Sequence, residues 1–294
     1  MVVINMPSHW YTDNQGRKRR IPDRANKTTF IQASREIDSL LRDKSYSSFV
    51  KRLGSAIKDP KVRLLLIKGR QDGLVKDDLI KNTDVTKKLK RFYPTQTEID
   101  IESSLKWIGE HPENVPTLLK GGTVSEKNFA GNSIITSKGK YIIDGHHRWS
   151  QVYLINPDAK VKTIDLQISD PEKALRVSQM TVAGLSGELV LQKVPEGKNL
   201  YKMPLRTIQK QLDSYLSPSF YQAFYDTQPN NFKTKQDVQK HIMANIKSMR
   251  KNNRPSTRIK REYMPQYDKI GVEHAVKSLS KGEININKPY TKTK

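Results

Sequence analysis

Two histidines and an arginine stand side by side at His146, His147 and Arg148, directly after Asp144 and Gly145. Imidazole and guanidinium groups donate hydrogen bonds that suit phosphate oxygens, and a glycine lets the backbone approach a ligand closely. A carboxylate at this place can orient an imidazole or ligate a metal, but it can equally cap a helix or close a turn. These residue types in this order predict a pocket for a phosphate group or a nucleotide.

The flanking sequence predicts the elements that hold these residues. Residues 141–143 suit a buried strand, and apolar residues recur at helical spacing from Trp149 onward. Residues 144–148 therefore fall between a strand and the first turn of a helix. Free backbone N–H groups and the positive end of the helix dipole favour an anion at such a place. The alternative role for either histidine is to satisfy neighbouring backbone groups.

A β-hairpin is predicted just before this site, because 133–136 and 141–143 flank the turn sequence Ser-Lys-Gly-Lys at 137–140. Upstream, the sequence Tyr-Pro-Thr-Gln-Thr-Glu-Ile at 93–99 is typical of an extended segment that leads into a helix. Together with Gly-His-His-Arg at 145–148, these features resemble the ParB/sulfiredoxin superfamily, in its phage and plasmid ParB-like nuclease branch. That family carries a Gly-x-x-Arg element between a hairpin strand and a helix. The resemblance covers under a third of the chain, within 90–170.

The resemblance implies an α+β fold with a small ParB/sulfiredoxin-like mixed sheet and packed helices. Charge and periodicity in the rest of the sequence predict mainly helical, basic N- and C-terminal regions around it. The resemblance also implies binding of a phosphate group or a nucleotide. It suggests a nucleotide with Mg²⁺ as cofactor, and the sequence assigns no metal ligands. Phosphate-binding roles are expected for Gln96, Gly145, His146, His147 and Arg148, and catalytic roles for Glu98, Asp144, His146 and His147.

Glu98 has two interpretations at this stage. As a general base or a metal ligand it would take part in catalysis, together with Asp144 if the two carboxylates converge. As an acidic residue near the start of a helix predicted over 97–109, it would only stabilise the helix dipole. The sequence does not decide between them.

The sequence departs from the family at His146. Sulfiredoxins carry their reactive cysteine at this position, and this chain has no cysteine, which excludes sulfiredoxin chemistry as well as disulfides and cysteine-ligated zinc. ParB proteins carry a glutamate here, near the nucleotide and its metal. The resemblance therefore implies nucleotide binding more directly than it implies ParB-type CTP hydrolysis.

The formal net charge is +23 at pH 7, and it is unevenly distributed. The family-like segment 94–168 holds 8 basic and 9 acidic side chains, so the positive excess lies on both sides of it. Such flanks favour DNA as a partner, through salt-dependent phosphate contacts, whereas the plain alternative is a solvated basic surface. The residues expected to bind DNA are Arg17, Lys18, Arg19, Arg20, Lys87, Lys88, Lys90, Arg91, Arg258, Lys260 and Arg261.

The patterns divide the chain into five regions: a basic irregular arm at 1–30, a basic helical region at 31–92, the ParB/sulfiredoxin-like domain at 93–170, a mainly helical region at 171–249 and a basic C-terminal tail at 250–294. In the second region, helical spacing predicts helices over 31–58 and 77–89, and the apolar run at 62–67 suits a strand or a helix equally well.

No stretch approaches the length of apolar sequence that spans a membrane, and no apolar leader is seen. The expected setting is therefore the cytoplasm of a host cell or a virion, with no membrane partner. Three functions remain open. One is a nuclease or nucleotide hydrolase of a phage or mobile element, and another is a non-enzymatic DNA-contacting virion protein, with a homo-oligomer or virion assembly as partner. A kinase of the free-serine type fits the fold but gives no reason for the charge.

Overall fold

Helices and strands are mixed along the chain, which confirms the predicted α+β class. The computed structural model describes residues 10–12, 18–20, 27–67, 80–129, 131–191, 198–265, 271–282, 284 and 286. The chain forms two compact units. The first comprises Met1–Lys81, Gln179–Leu189 and Tyr267–Lys294, and the second comprises Asn82–Ser178 and Val190–Gln266.

The element bounds are as follows. In chain order the strands are β1 Trp10–Thr12, β2 Lys18–Arg20, β3 Asn82–Lys88, β4 Tyr93–Pro94, β5 Thr123–Val124, β6 Ile134–Ser137, β7 Tyr141–Asp144 and β8 Lys160–Leu166. The helices are α1 Lys27–Leu41, α2 Tyr46–Ala56, α3 Pro60–Ile67, α4 Ile101–Glu110, α5 Val115–Leu119, α6 His146–Ile155, α7 Pro171–Ser186, α8 Leu205–Tyr215, α9 Pro218–Thr227, α10 Lys235–Asn252 and α11 Val272–Ser280. Short 3-10 helices lie at Leu89–Arg91, Pro112–Asn114, Glu126–Phe129 and Arg261–Tyr263.

The first unit differs from its prediction at the N-terminus. The expected irregular arm contains an antiparallel pair, β1 with β2, in which Trp10 lies opposite Arg20. The helix predicted over 31–58 is two helices, because Ser45 caps the start of α2 with its side chain. The apolar run at 62–67 belongs to a helix, which begins at Pro60, where a missing N–H costs no hydrogen bond.

The second unit contains a six-stranded mixed sheet in the order β3-β8-β6-β7-β4, with β5 paired to β8. Strand β3 contradicts the helix predicted over 77–89, of which 77–79 lie outside the described residues. Its β-branched residues Thr83, Val85 and Thr86 suit a strand, and it pairs with β8 along its whole length. The predicted domain 93–170 therefore omits an edge strand of its own sheet, and it omits the helices of 198–265 in the same unit.

Helix α6 lies in the core of this unit, where every side chain from Trp149 to Ile155 is buried. The Trp149 indole donates to the Leu89 carbonyl at 3.1 Å, and its ring packs edge-on against Tyr153, with centroids 5.2 Å apart. A helix that is buried on all sides is held by its surroundings rather than by one face. The buried part of α6 consequently holds its first turn, at 146–148, in a defined position.

Candidate phosphate site

Strands β6 and β7 directly precede the start of α6. They form the predicted hairpin, and its turn has positive φ at Lys138 (54°) and Gly139 (53°), as type I′ turns require. After β7 the chain reverses at Gly145, which caps α6 with a φ of 88°. A Cβ at Gly145 would lie 3.0 Å from Nε and Nη2 of Arg148 and 3.1 Å from Cγ1 of Ile134. Glycine is therefore needed for its conformation and for the room that it leaves to the guanidinium.

Arg148 folds back over Gly145 and is held at one end of its guanidinium. Its Nη2 donates to Oδ2 of Asp144 at 2.6 Å and to the carbonyl of Ser133 at 3.0 Å. Its Nε is buried and has no hydrogen-bond partner among the described residues. Asp144 thus orients Arg148 rather than a histidine. A buried guanidinium N–H without an acceptor is costly unless a water or a ligand supplies one.

His146 has a structural role. Its Nε2 accepts a hydrogen bond from the backbone N–H of Thr95 at 3.1 Å, so this nitrogen carries no proton. Burial, with the positive charges of Arg261 and Arg148 nearby, holds the pKa of His146 well below its usual value. The ring is thus neutral, and it ties the extended segment after β4 to the start of α6.

His147 is a second neutral imidazole, and its ring lies against Arg261. Its Nε2 accepts from the backbone N–H of Asp100 at 3.2 Å and faces Nη1 of Arg261 at 2.8 Å. Both partners are donors, so Nε2 is unprotonated and the proton of the neutral ring lies on Nδ1. Burial and the positive charge of Arg261 lower the pKa of His147 to about 3. Nδ1 has only the Arg261 guanidinium nearby, at 3.4 Å, so its proton has no acceptor among the described residues.

Arg261 joins this site from a distant part of the sequence. The segment after α10 runs beside 94–97, where Ser256 N donates to Pro94 O at 2.8 Å and Thr97 N donates to Ile259 O at 2.9 Å. The backbone N–H of Arg261 then donates to Oε2 of Glu98 at 3.2 Å. Burial lowers the pKa of Arg261, against the attraction of nearby carboxylates. No carboxylate of the described residues lies within ion-pair distance of its guanidinium.

Glu98 and Gln96 lie where the segment that carries Arg261 meets residues 94–97. Gln96 lines the cleft, and its Nε2 donates to the carbonyl of Glu98 at 2.6 Å. Glu98 lies before the helix rather than in its first turn, because α4 begins at Ile101 with Asp100 as its N-cap. The dipole interpretation of Glu98 is therefore wrong. Its carboxylate instead holds the segment that carries Arg261.

These groups surround a small cleft of about 100 Å³, with Gln96 and Arg148 on its wall beside Met264 and Pro265. This volume suits one oxyanion and lies well below the roughly 300–1,000 Å³ of pockets that enclose a whole ligand. Its lining includes three side chains that carry donors, Arg148, Arg261 and His147, together with the first turn of α6, where helix amides are free. Within the described part of the chain, no three His, Asp or Glu side chains are placed to hold a metal ion.

No family model, curated protein or solved structure matches this chain. The ParB/sulfiredoxin resemblance consequently remains a prediction from the motif. No helix among the described residues is long and apolar enough to cross a membrane.

The basic residues expected to bind DNA have diverse environments. Lys88 and Lys90 both pair with Asp158, at 2.9 and 2.8 Å, and Lys87 donates to the Gly139 carbonyl at 2.9 Å. Lys18, Arg19 and Arg20 form β2, whereas Arg17 lies outside the described residues. The exposed side chains of Arg91, Arg258 and Lys260 have no ion pair in the described part of the chain.

Arg261 is the site residue whose role the sequence did not reveal. It was expected to bind DNA as one of several cations in a basic tail. No spacing connects it with His147, which precedes it by 114 positions. The one available signal was its place in a polar, irregular segment that follows a long helix.

Proposed function

We propose that this protein binds a phosphate group, carried by a nucleotide or by nucleic acid, in the cleft at the start of α6. The observation that carries the proposal is the convergence of Arg148, His147 and Arg261, from two distant segments, on one oxyanion-sized space. Arg148 and Arg261 both line this cleft, and Asp144, the carboxylate that lines it with them, is paired with Arg148. A partly buried site with two guanidinium groups and fixed donors suits a phosphate. The rest of a nucleotide would remain outside.

Binding is better supported than catalysis. Of the four residues expected to be catalytic, Asp144 is engaged by Arg148, Glu98 by the Arg261 amide and His146 by Thr95. His147 is neutral and already accepts two hydrogen bonds at Nε2, so it is a poor general base. Phosphate binding is compatible with the hydrogen bonds that these groups already make, whereas catalysis by a nuclease would require several of those hydrogen bonds to be broken.

Nucleotide turnover is the second candidate, and Asp100 favours it. Its Oδ2 caps α4 through Ser103, but its Oδ1 is buried without a partner in the described structure. The backbone of the same residue contacts His147. A free carboxylate oxygen beside a phosphate site could orient an attacking water. This role would make the protein a nucleotide hydrolase, as the family resemblance suggests.

The wider context of the proposal is a nucleic-acid-associated protein of the ParB-like type, in a host cell or a virion. The charge of +23 supports a polyanion partner, and the strand–Gly–His–His–Arg–helix element supports the family. A non-enzymatic DNA-contacting protein that keeps the pocket is compatible with the same geometry. The presence or absence of turnover distinguishes it from an enzyme.

The experiment is a calorimetric titration of the full chain with inorganic phosphate, pyrophosphate and nucleoside triphosphates, with and without Mg²⁺. Arg261→Gln should weaken binding about tenfold or more, since a hydrogen bond to a charged group contributes about 1.5–3 kcal/mol. Arg258→Gln is the matched control, because Arg258 lies three residues earlier and is exposed. Equal effects of the two variants, or no binding by the wild type, would overturn the proposal.

A further inference from the structure

The outer face of α10 carries a straight stripe of lysines. Lys240, Ala244, Lys247 and Lys251 are all exposed, and their spacing of four, three and four residues places them on one side of the helix. The opposite side is buried through Ile242, Ile246 and Met249, among others. The orientation of the stripe is therefore fixed by the core.

The stripe lysines are not neutralised within the described structure. None of the three has a carboxylate within ion-pair distance, whereas Lys235 on the same helix pairs with Asp213 at 2.9 Å. Asp237 is the nearest acid on the helix, one turn before Lys240. It is engaged in the capping box with Thr234, and it interacts with the charge of Lys240 without forming an ion pair. The helix dipole favours a cation only in the last turn, which accounts for Lys251 but not for Lys240 or Lys247.

Arg250, on the same helix, differs from the stripe lysines because its side chain is not left in solvent. Its side chain turns inward and donates to the carbonyls of Leu200 and Met203, both at 2.7 Å. The stripe lysines stay in solvent, although like charges on one helix face repel one another. A polyanion laid along the stripe would relieve that repulsion.

The dimensions of the stripe fit a nucleic-acid backbone. Eleven residues of helix separate Lys240 from Lys251, a length of about 16 Å at 1.5 Å per residue. One strand of a DNA duplex carries a phosphate about every 3.4 Å along its axis, so the stripe spans about five phosphates. The stripe consists of lysines and one alanine, so its contacts are with phosphates rather than with stacked bases.

We propose that Lys240, Lys247 and Lys251 bind the phosphate backbone of a nucleic-acid duplex. This surface is separate from the cleft, since none of the three lines it, and its binding does not depend on a phosphate in the cleft. The sequence assigned DNA contacts to basic residues within 17–20, 87–91 and 258–261, but not to this helix. The exposed Ala244 lets the backbone lie close to the helix between the flanking lysines.

The test is fluorescence anisotropy of a labelled mixed-sequence DNA duplex, titrated with the full chain across a range of salt. The triple variant Lys240→Gln/Lys247→Gln/Lys251→Gln should bind at least about tenfold more weakly near 0.1 M salt, and its slope of log affinity against log salt should be shallower by about 2 to 3. The matched control is Lys120→Gln/Lys202→Gln/Lys210→Gln, three exposed lysines of the same unit with the same change in charge.

A control triple that changes affinity less than about threefold, while the stripe triple has the full effect, supports the proposal. Equal losses in both triples would overturn it, because they would reflect net charge alone. Unchanged binding of the stripe variant, or no duplex binding by the wild type, would also overturn it. So would tighter binding of single-stranded DNA than of the duplex, if the stripe variant weakened both to the same extent.

Discussion

His146 and His147 are neighbours in the sequence, but different parts of the chain hold their rings. His146 accepts the Thr95 amide, whereas His147 accepts the Asp100 amide and faces Arg261. Both are therefore neutral in the folded protein, and the pKa of each is lowered mainly by burial. The positive charge of the site comes from the arginines, and the histidines set the positions of backbone and donors.

A loss of stability in mild acid follows from these lowered pKa values. An unfolded histidine takes up a proton as pH falls below about 6.5, while His147 stays neutral until its pKa of about 3. Protonation therefore favours the unfolded state throughout that window, and stability falls with pH by about 1.4 kcal/mol per unit for each such histidine. Above pH 6.5 these groups contribute no pH dependence.

Urea unfolding at pH 7 and pH 5 measures this effect. For His147→Asn the loss of unfolding free energy between the two values should be smaller than in the wild type by about 2 kcal/mol. Asn252→Ala, at an exposed residue without a titratable group, should keep the wild-type loss. A wild-type loss retained in His147→Asn would show that His147 is protonated in the folded protein.

Gly145 is predicted to be irreplaceable for a reason that Gly131 does not share. Both have a strongly positive φ, 88° and 82°. A Cβ at Gly145 meets Arg148 and Ile134, whereas a Cβ at Gly131 meets nothing within 4 Å. Gly131→Ala should cost only backbone strain, about 1–2 kcal/mol. Gly145→Ala should cost more and should displace Arg148, with loss of phosphate binding.

Thermal unfolding and phosphate calorimetry on this pair of variants separate strain from the loss of space. Equal destabilisation and intact phosphate binding in both would mean that Arg148 does not need the space over Gly145.

At the scale of elements, the site depends on how the segment after α10 is anchored. Asn253, fully buried, donates through Nδ2 to the carbonyls of Lys90 (3.0 Å) and Phe92 (2.7 Å). Its Oδ1 accepts from the Tyr153 hydroxyl at 2.8 Å, and its carbonyl accepts from the Tyr201 hydroxyl at 2.6 Å. The side chain of Asn253 thus attaches the end of α10 to the segment after β3 and to α6, before the chain continues to Arg261.

Asn253→Ala is therefore expected to destabilise the protein by about 3–5 kcal/mol, because it leaves several buried polar groups without partners. It should also weaken phosphate binding through Arg261. Asn252→Ala removes the adjacent, exposed asparagine and should change stability by less than about 0.5 kcal/mol. The measurement is chemical denaturation of both variants. Similar small effects would refute an anchoring role for Asn253.

Local signals in the sequence predicted the hairpin and the helix that follow one another at the site. The turn at 137–140 and the apolar spacing after Trp149 involve only near neighbours, and both predictions are confirmed. Strand β3 was mistaken for a helix because its exposed, polar side chains lack alternation, and its pairing with β8 decides its structure. The contact of Arg261 with His147 likewise depends on the tertiary fold.

At the scale of the whole molecule, the two proposed phosphate contacts differ in kind. The cleft is small, partly buried and dependent on a few fixed donors. The stripe on α10 is exposed and depends on charge, so salt should weaken its binding more steeply. Both lie in the second compact unit, Asn82–Ser178 and Val190–Gln266. The net charge of +23 alone predicts a polyanion partner but no particular surface.

The most direct test of phosphate binding in the cleft is an NMR titration of the arginine Nε–H groups of the ¹⁵N-arginine-labelled chain with inorganic phosphate. Assignment comes from the Arg148→Gln, Arg258→Gln and Arg261→Gln variants. The Arg148 and Arg261 signals should shift together and saturate, because phosphate supplies the acceptor that Arg148 Nε lacks, while the exposed Arg258 should not saturate. Signals from Arg148 and Arg261 that stay in place, or that shift no more than that of Arg258, would contradict a phosphate site at the start of α6.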